Sequence, residues 1–319
     1  MLIFAVTFWV AVFFLVSIFH AYSFTHTVED FTKFKPETMN LRLKEIITVT
    51  IFGVSPQKRI GNSLPTDYGL EYENVSFKST DNINLKGWLI KAEKPKGTII
   101  LAHGYDASKE RLLNHTSYLN KNGYNTFLFD FRGFGESDGN YTTLGYYERF
   151  DILGAINYLK TRDDIHLNGI GTIGFSMGGA AIVLAARDSG DFKAIVLDSA
   201  YPTIHQNAAR RFEAVYGFPK FPFATSLTFF GGLIHGFNGF DLAPSNYINK
   251  VNAALFIIQG TADEQVTVED ANLLFKNSNS PKRIWLVQGA KHTGSYDTRK
   301  EKYEKKVIEF FDSYMAIER

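Results

Sequence analysis

Four continuous apolar runs decide most of what this chain can fold into: TIILA (98–102), TFLF (126–129), AIVL (194–197) and ALFII (254–258). Each is too short for an ordinary helix and shows no polar alternation, so each suits a strand buried on both faces of a parallel sheet. Strand segments are expected near Glu71–Lys78, Asn84–Lys91, Thr98–His103, Asn125–Asp130, Gly171–Phe175, Ala194–Asp198, Ala254–Gln259 and Arg283–Gln288. Helical patterns fall between the later ones, at Lys109–Asn122, Tyr146–Lys160, Met177–Ser189, Val268–Lys276 and Thr298–Tyr314. Strand and helix in alternation predict an α/β architecture with right-handed crossovers. No helical pattern separates the first two strands, which are expected as a hairpin. The net charge is +1 and no Lys/Arg run stands out, which argues against a nucleic-acid partner. With no cysteine, a disulfide scaffold, Cys-ligated zinc and thiol catalysis are excluded.

The N-terminus is of a different kind. Leu2–Phe19 is apolar except for Thr7 and Ser17. As a helix it covers about 27 Å, close to the ~30 Å hydrocarbon core of a bilayer. Ala21-Tyr22-Ser23 offers a small-x-small cleavage pattern, but no Lys or Arg precedes the run and the run outlasts a usual signal core. The expectation is an uncleaved anchor over 1–20, a connector over 21–70 with a helix near Met39–Phe52, and a main domain over 71–319. A stretch of about 200–253 breaks the strand–helix alternation and is far longer than a connection of ~2–6 residues. It is rich in aromatics, namely Phe212, Tyr216, Phe218, Phe221, Phe223, Phe229, Phe230, Phe237 and Phe240, and reads as an apolar lid or a small second core.

Gly174-Phe175-Ser176-Met177-Gly178 matches G-x-S-x-G between an apolar strand and a helix, the context that gives this short pattern its meaning. A serine on such a strained turn projects above the sheet beside a helix N-terminus, which favours negative charge. Its hydroxyl is a weak nucleophile until a base takes the proton. In the chain order Ser, acid, His, the acid is Asp263 in QGTADEQV, with Glu264 as a nearby rival. The base is His292 in QGAKHTGS. Both follow apolar strands, at the ends where open α/β sheets form their sites. His103 reads as part of an oxyanion loop, and His20, His26, His115, His166, His205 and His235 as surface or packing residues. The oxyanion donors are expected to be the amides of Met177 and Tyr105, with the Tyr105 hydroxyl as an alternative to its amide.

Gly169-x-Gly171-x-x-Gly174 also spells a dinucleotide fingerprint, but TRDDIHLN before it is no strand and the glycines run into a strand instead of out of one. A metal hydrolase reading lacks HExxH or any clustered ligand pattern. Neither a cofactor nor a metal is expected.

LAHGYDAS, DFRGFGESDG, GFSMGG, GTADEQV and GAKHTGS occur in the order and spacing of a known family. Over residues 70–317 the chain resembles the α/β-hydrolase superfamily, most closely bacterial membrane-tethered members related to the prolyl-oligopeptidase-like branch. The resemblance implies an eight-stranded, mostly parallel sheet with its second strand antiparallel, flanked by helices and carrying a short lid. It implies a Ser176–Asp263–His292 triad, and a structural role for Asp130, Arg132, Gly133, Gly135 and Ser137. The oxyanion loop reads HGY where lipases carry HGGG. The expected activity is hydrolysis of an ester or related acyl bond through an acyl-enzyme on Ser176. The expected partners are an apolar small-molecule acyl substrate and a lipid bilayer. A peptidase or amidase of the same fold, and a non-catalytic tethered binding domain, are the alternatives.

Overall fold

The computed structural model describes residues 2–29, 51–165, 167, 169–216, 220–279 and 281–315, without the side chains of 211, 212, 214–216 and 220. Of the helix expected near Met39–Phe52, only the last two residues fall within this description.

Eight strands form one sheet in the order β1-β2-β4-β3-β5-β6-β7-β8. They are β1 (Glu73–Lys78), β2 (Asn84–Ile90), β3 (Gly97–Ala102), β4 (Tyr124–Phe129), β5 (Ile170–Phe175), β6 (Phe192–Asp198), β7 (Ala254–Gly260) and β8 (Lys282–Val287). β2 runs antiparallel to β1 and β4, and the pairs from β4 through β8 are parallel. Every residue of β4, β5 and β7 is buried, as unbroken apolar runs require of central parallel strands. Successive residues serve opposite faces: Phe127 and Phe129 join one core, and Tyr124 and Leu128 the other.

Helices cover both faces. The Phe127 side packs α3 (Glu148–Lys160), α4 (Met177–Asp188) and α7 (Val268–Asn277); the Leu128 side packs α2 (Leu113–Lys121) and α9 (Lys300–Met315). Element ends differ from expectation by one turn or less. The stretch from Lys109 opens as a 3-10 turn before α2, and a separate short α8 (Ser295–Thr298) precedes α9. α3 starts at Glu148, whose buried carboxylate accepts from the amides of Thr143 and Gly145 and ties down the preceding loop.

The 200–253 stretch holds α5 (Ile204–Tyr216) and α6 (Lys220–Ile234). The apolar N-terminal run is helix α1 (Leu2–Thr25), which continues six residues beyond Phe19. Most of α1 is exposed, but Ser17, His20, Ala21 and Thr25 are buried. Ala21 packs in one small cluster with Ala208 and Ala209 of α5 and Ala224 and Leu227 of α6. The chain beyond α1 is stitched to the domain: Thr142 N donates to Thr25 O (2.7 Å) and Thr27 N to Asn140 O (2.9 Å).

Candidate active site

The order of connection reverses at β3, whose neighbours are β4 and β5. Sites of open α/β sheets form at the carboxyl ends of strands beside such a switch point. Here the loops after β3, β5, β7 and β8 line one cleft of about 480 Å³, with Tyr105, Ser176, Gln265 and His292 on its walls.

Ser176 stands between β5 and α4 at φ 49° and ψ −112°, a conformation costing roughly 1–3 kcal/mol in a non-glycine residue. The close approach of strand and helix explains the flanking glycines. A Cβ on Gly174 would lie 2.6 Å from the Gly179 backbone, and one on Gly178 2.4 Å from Ala102 O. Strain concentrates around this cleft. Of the six described non-glycine residues at positive φ, Asp106, Leu144, Ser176 and Thr293 line it. Ser199, a fifth, accepts from Thr293 N at 3.1 Å.

The structure brings Ser176, His292 and Asp263 together from three loops. His292 Nε2 is 3.0 Å from Ser176 Oγ, and His292 Nδ1 is 2.8 Å from Asp263 Oδ2. A carboxylate only accepts, so Nδ1 carries the proton and Nε2 is the acceptor facing the serine. Asp263 is buried and saturated with donors. Its Oδ1 accepts from Gln265 N and Val266 N (both 2.9 Å), and its Oδ2 also accepts from Gln259 Nε2 (3.0 Å). Burial pushes its carboxyl up, but the bonds from His292, Val266 and Gln259 outweigh that and hold it below the ordinary carboxylate range. Glu264, the rival acid, is exposed.

His103 is a strut in the loop after β3. Its Nε2 accepts from Phe131 N (3.0 Å) and its Nδ1 donates to Gly104 O (2.7 Å). Burial lowers its pKa and keeps it neutral. The Tyr105 hydroxyl donates to Phe24 O (2.8 Å), at the end of α1. The 130–137 loop is structural, as its pattern implies. Asp130 accepts from Lys109 N (2.7 Å) and Glu136 N (3.0 Å), Ser137 Oγ donates to Asp130 O (2.6 Å), and buried Arg132 pairs with Asp151 and Asp81.

Of the other histidines, only His115 also lines the cleft among the described residues. His115 packs among Phe175, Tyr118, Tyr296 and Tyr303; His26 and His235 stack on each other; His205 meets Thr225 Oγ1 at 3.2 Å. His20 is buried in α1, and His166 lies outside the described residues. Among the described residues no group of three His, Asp or Glu side chains is placed to hold a metal ion.

Sequence reasoning missed several participants. Gln259 orients the acid, and Asp198, at the end of β6, is buried and raised to about 6 by burial. Phe24 reaches the cleft from the far N-terminal helix. Asp198 was legible as a carboxylate closing an apolar strand; the contact of Phe24, 81 residues from Tyr105, left no local mark.

A family model described as serine aminopeptidase S33 matches residues 93–227. The uncharacterized protein YqkD of Bacillus subtilis is 27% identical over 249 residues, covering 76% of this chain and 81% of YqkD. The uncharacterized protein YfhR of Escherichia coli K12 is 29% identical over 251 residues, 75% of this chain and 80% of YfhR. Among solved structures, the esterase Pf2001 of Pyrococcus furiosus superposes with a TM-score of 0.71 at 30% identity, over 82% of this chain and 98% of the esterase. Sharing both sheet and sequence with nearly all of that esterase, the chain belongs to the α/β-hydrolase superfamily.

Proposed function

We propose that the chain is a membrane-anchored serine hydrolase that cleaves a carboxylic ester or related acyl bond through an acyl-enzyme on Ser176. The observation that carries this reading is the serine held at φ 49° with its Oγ 3.0 Å from His292 Nε2, the imidazole in turn bonded to Asp263. His292 takes the Ser176 proton as Oγ attacks the substrate carbonyl carbon, and the carbonyl pair moves onto oxygen. The amides of Met177 and Tyr105 receive that oxyanion. The oxyanion collapses, the bond to the leaving group breaks, and His292 Nε2–H protonates the departing atom. Water, deprotonated by His292, then attacks the acyl carbon; the bond to Ser176 Oγ breaks, His292 returns the proton to Oγ, and the acid leaves. Asp263 fixes the tautomer and stabilises the imidazolium.

Anchoring is supported by α1, apolar over its length and largely exposed. Its last turns are packed into the domain, so removal at Ser23 would strip away buried Ser17, His20 and Ala21. This favours an anchor over a cleaved leader. In this reading 1–20 is the anchor, 21–70 the connector and about 200–253 the lid of the 71–319 domain. The esterase likeness favours ester chemistry. An amide or peptide substrate, as in the prolyl-oligopeptidase-like branch, is the second reading, favoured by the serine aminopeptidase description of the matching family.

The test is intact mass after fluorophosphonate treatment of wild type and Ser176→Ala. One adduct on wild type alone is expected. Aryl esters of rising chain length beside aryl-amides and peptides then sort the two readings. Folded wild type without an adduct would overturn the catalytic reading in favour of a tethered binding domain.

A further inference from the structure

The cleft around Ser176 takes one of its walls from α1. Phe24, in the last turn of that helix, lines the cleft beside Tyr105, Leu144 and Tyr201. Its ring lies 5.1 Å from the Tyr105 ring, and its carbonyl accepts from the Tyr105 hydroxyl (2.8 Å). The next residue is fixed as well: Thr25 O accepts from Thr142 N (2.7 Å), and His26 bridges to Tyr141. Phe24 is therefore held from two sides, by the loop after β3 and by the loop that leads into α3. Its ring forms a fixed boundary of the cleft.

The two ends of the cleft differ in chemistry. Phe24, Tyr105, Leu144 and Tyr201 pack in one apolar cluster. Arg111, Asn114, Thr293 and Asp297 supply the polar part of the lining. A leaving atom must come within hydrogen-bond reach of His292 Nε2 to receive its proton. Thr293 and Asp297 follow His292 closely in the chain, so the leaving group extends toward the polar end. The acyl group then points toward the apolar end, where Phe24 stands.

Behind Phe24 is a separate apolar cavity of about 30 Å³, lined by Ala21, Leu227, Gly231 and Leu242 among others. It has room for about two waters and none for an alkyl chain. Phe24 and Leu144 line both this cavity and the cleft, and so form the partition between them. An acyl chain growing away from Ser176 meets that partition. A fixed apolar wall discriminates by size, because each methylene that does not fit must displace close-packed side chains.

We propose that Phe24 is a specificity-determining residue that closes the acyl end of the cleft, so that the substrates carry short acyl groups and the N-terminal helix supplies part of the substrate site. This rests on the reading of Ser176 as the acyl-accepting nucleophile.

The test uses the full chain in detergent micelles and compares kcat/KM for a butyryl and an octanoyl aryl ester. Wild type is expected to favour the butyryl ester; a preference for the octanoyl ester would overturn the closed end whatever the variants do. Phe24→Ala removes the ring and joins cleft and cavity, while the backbone carbonyl stays in place for Tyr105. The octanoyl-to-butyryl ratio is expected to rise by roughly tenfold or more, the scale on which an apolar pocket discriminates a single methylene. Phe24→Leu is expected to give a smaller rise. Fluorophosphonate labelling of each variant checks that its site is assembled. An unchanged or lower ratio in the labelled variants would overturn the assignment of Phe24. Failure of the underlying reading looks different: wild type would take no fluorophosphonate adduct, and Ser176→Ala would cleave both esters as fast as wild type.

Discussion

Replacing Asp263 by Asn tests the geometry of the site most sharply. The carboxylate accepts four bonds: two backbone amides on Oδ1, and Gln259 Nε2 and His292 Nδ1 on Oδ2. All four partners are donors, and an amide group offers only one acceptor atom. If the new oxygen faces the Gln265 and Val266 amides, the NH₂ faces His292 and Gln259. The imidazole must then accept at Nδ1 and carry its proton on Nε2, where it cannot take the serine proton. If the oxygen faces His292, the NH₂ meets two backbone N–H groups, and burial makes that clash cost about 1–3 kcal/mol. The first arrangement is expected. The equivalent exchange in Ser-His-Asp proteases lowers kcat by roughly 10⁴, about 5.5 kcal/mol of transition-state stabilisation. The assay is kcat on a short aryl ester, with fluorophosphonate labelling rate and a urea melt as fold control. Glu264→Gln, at the exposed neighbour, is expected to match wild type. A loss below about tenfold in folded Asp263→Asn, or an equal loss in Glu264→Gln, would refute the assignment of the acid.

Ser176→Ala and His292→Ala are each expected to cut kcat by roughly 10⁶, and the double variant by little more, because the groups act as a unit; near-additive losses in the same ester assay would break the pair. Tyr105→Phe removes only the hydroxyl that donates to Phe24 O; kcat is expected to stay within a few-fold, whereas a loss of about 10²–10³ would make that hydroxyl the oxyanion donor. Burial raises Asp198 to about 6, above the ~3.9 of an unfolded chain. Its share of stability is therefore complete below about pH 4 and is lost as pH rises through about 6, a gap worth about 3 kcal/mol. In urea melts, Asp198→Asn, which keeps an acceptor for Ser199 and Ser295, is expected to gain about that much on wild type between about pH 4 and pH 7. Arg132→Ala strands buried Asp151, and its thermal melt is expected to show a loss of about 3–5 kcal/mol.

How much of this was legible in the chain depends on the range of the force involved. The sheet was readable because burial on both faces removes every polar alternation from a strand, so TIILA and ALFII carry their place in the centre of the sheet. The elbow was readable because steric closeness admits only glycine at 174 and 178, which leaves a mark in sequence. Asp263 was readable because it follows the buried run of β7, and His292 because it follows β8, an edge strand with only Val287 buried. The missing part is what no neighbour in sequence controls. Gln259 closes β7 as one polar residue after an apolar run, and only the folded loop turns its amide onto Asp263. α1 reads as a plain apolar rod whose sides are alike, and nothing in its composition singles out Phe13, Ser17 and Ala21. Those three become one side only because α6, more than 200 residues later, offers Phe223, Ser226 and Ala224 at matching heights. The 200–253 stretch was therefore visible as an aromatic-rich interruption, and its packing against the N-terminal helix was not. Sequence marked the cluster of Ser176, Asp263 and His292 residue by residue. The seat of α1 on the domain is a property of two distant helices meeting.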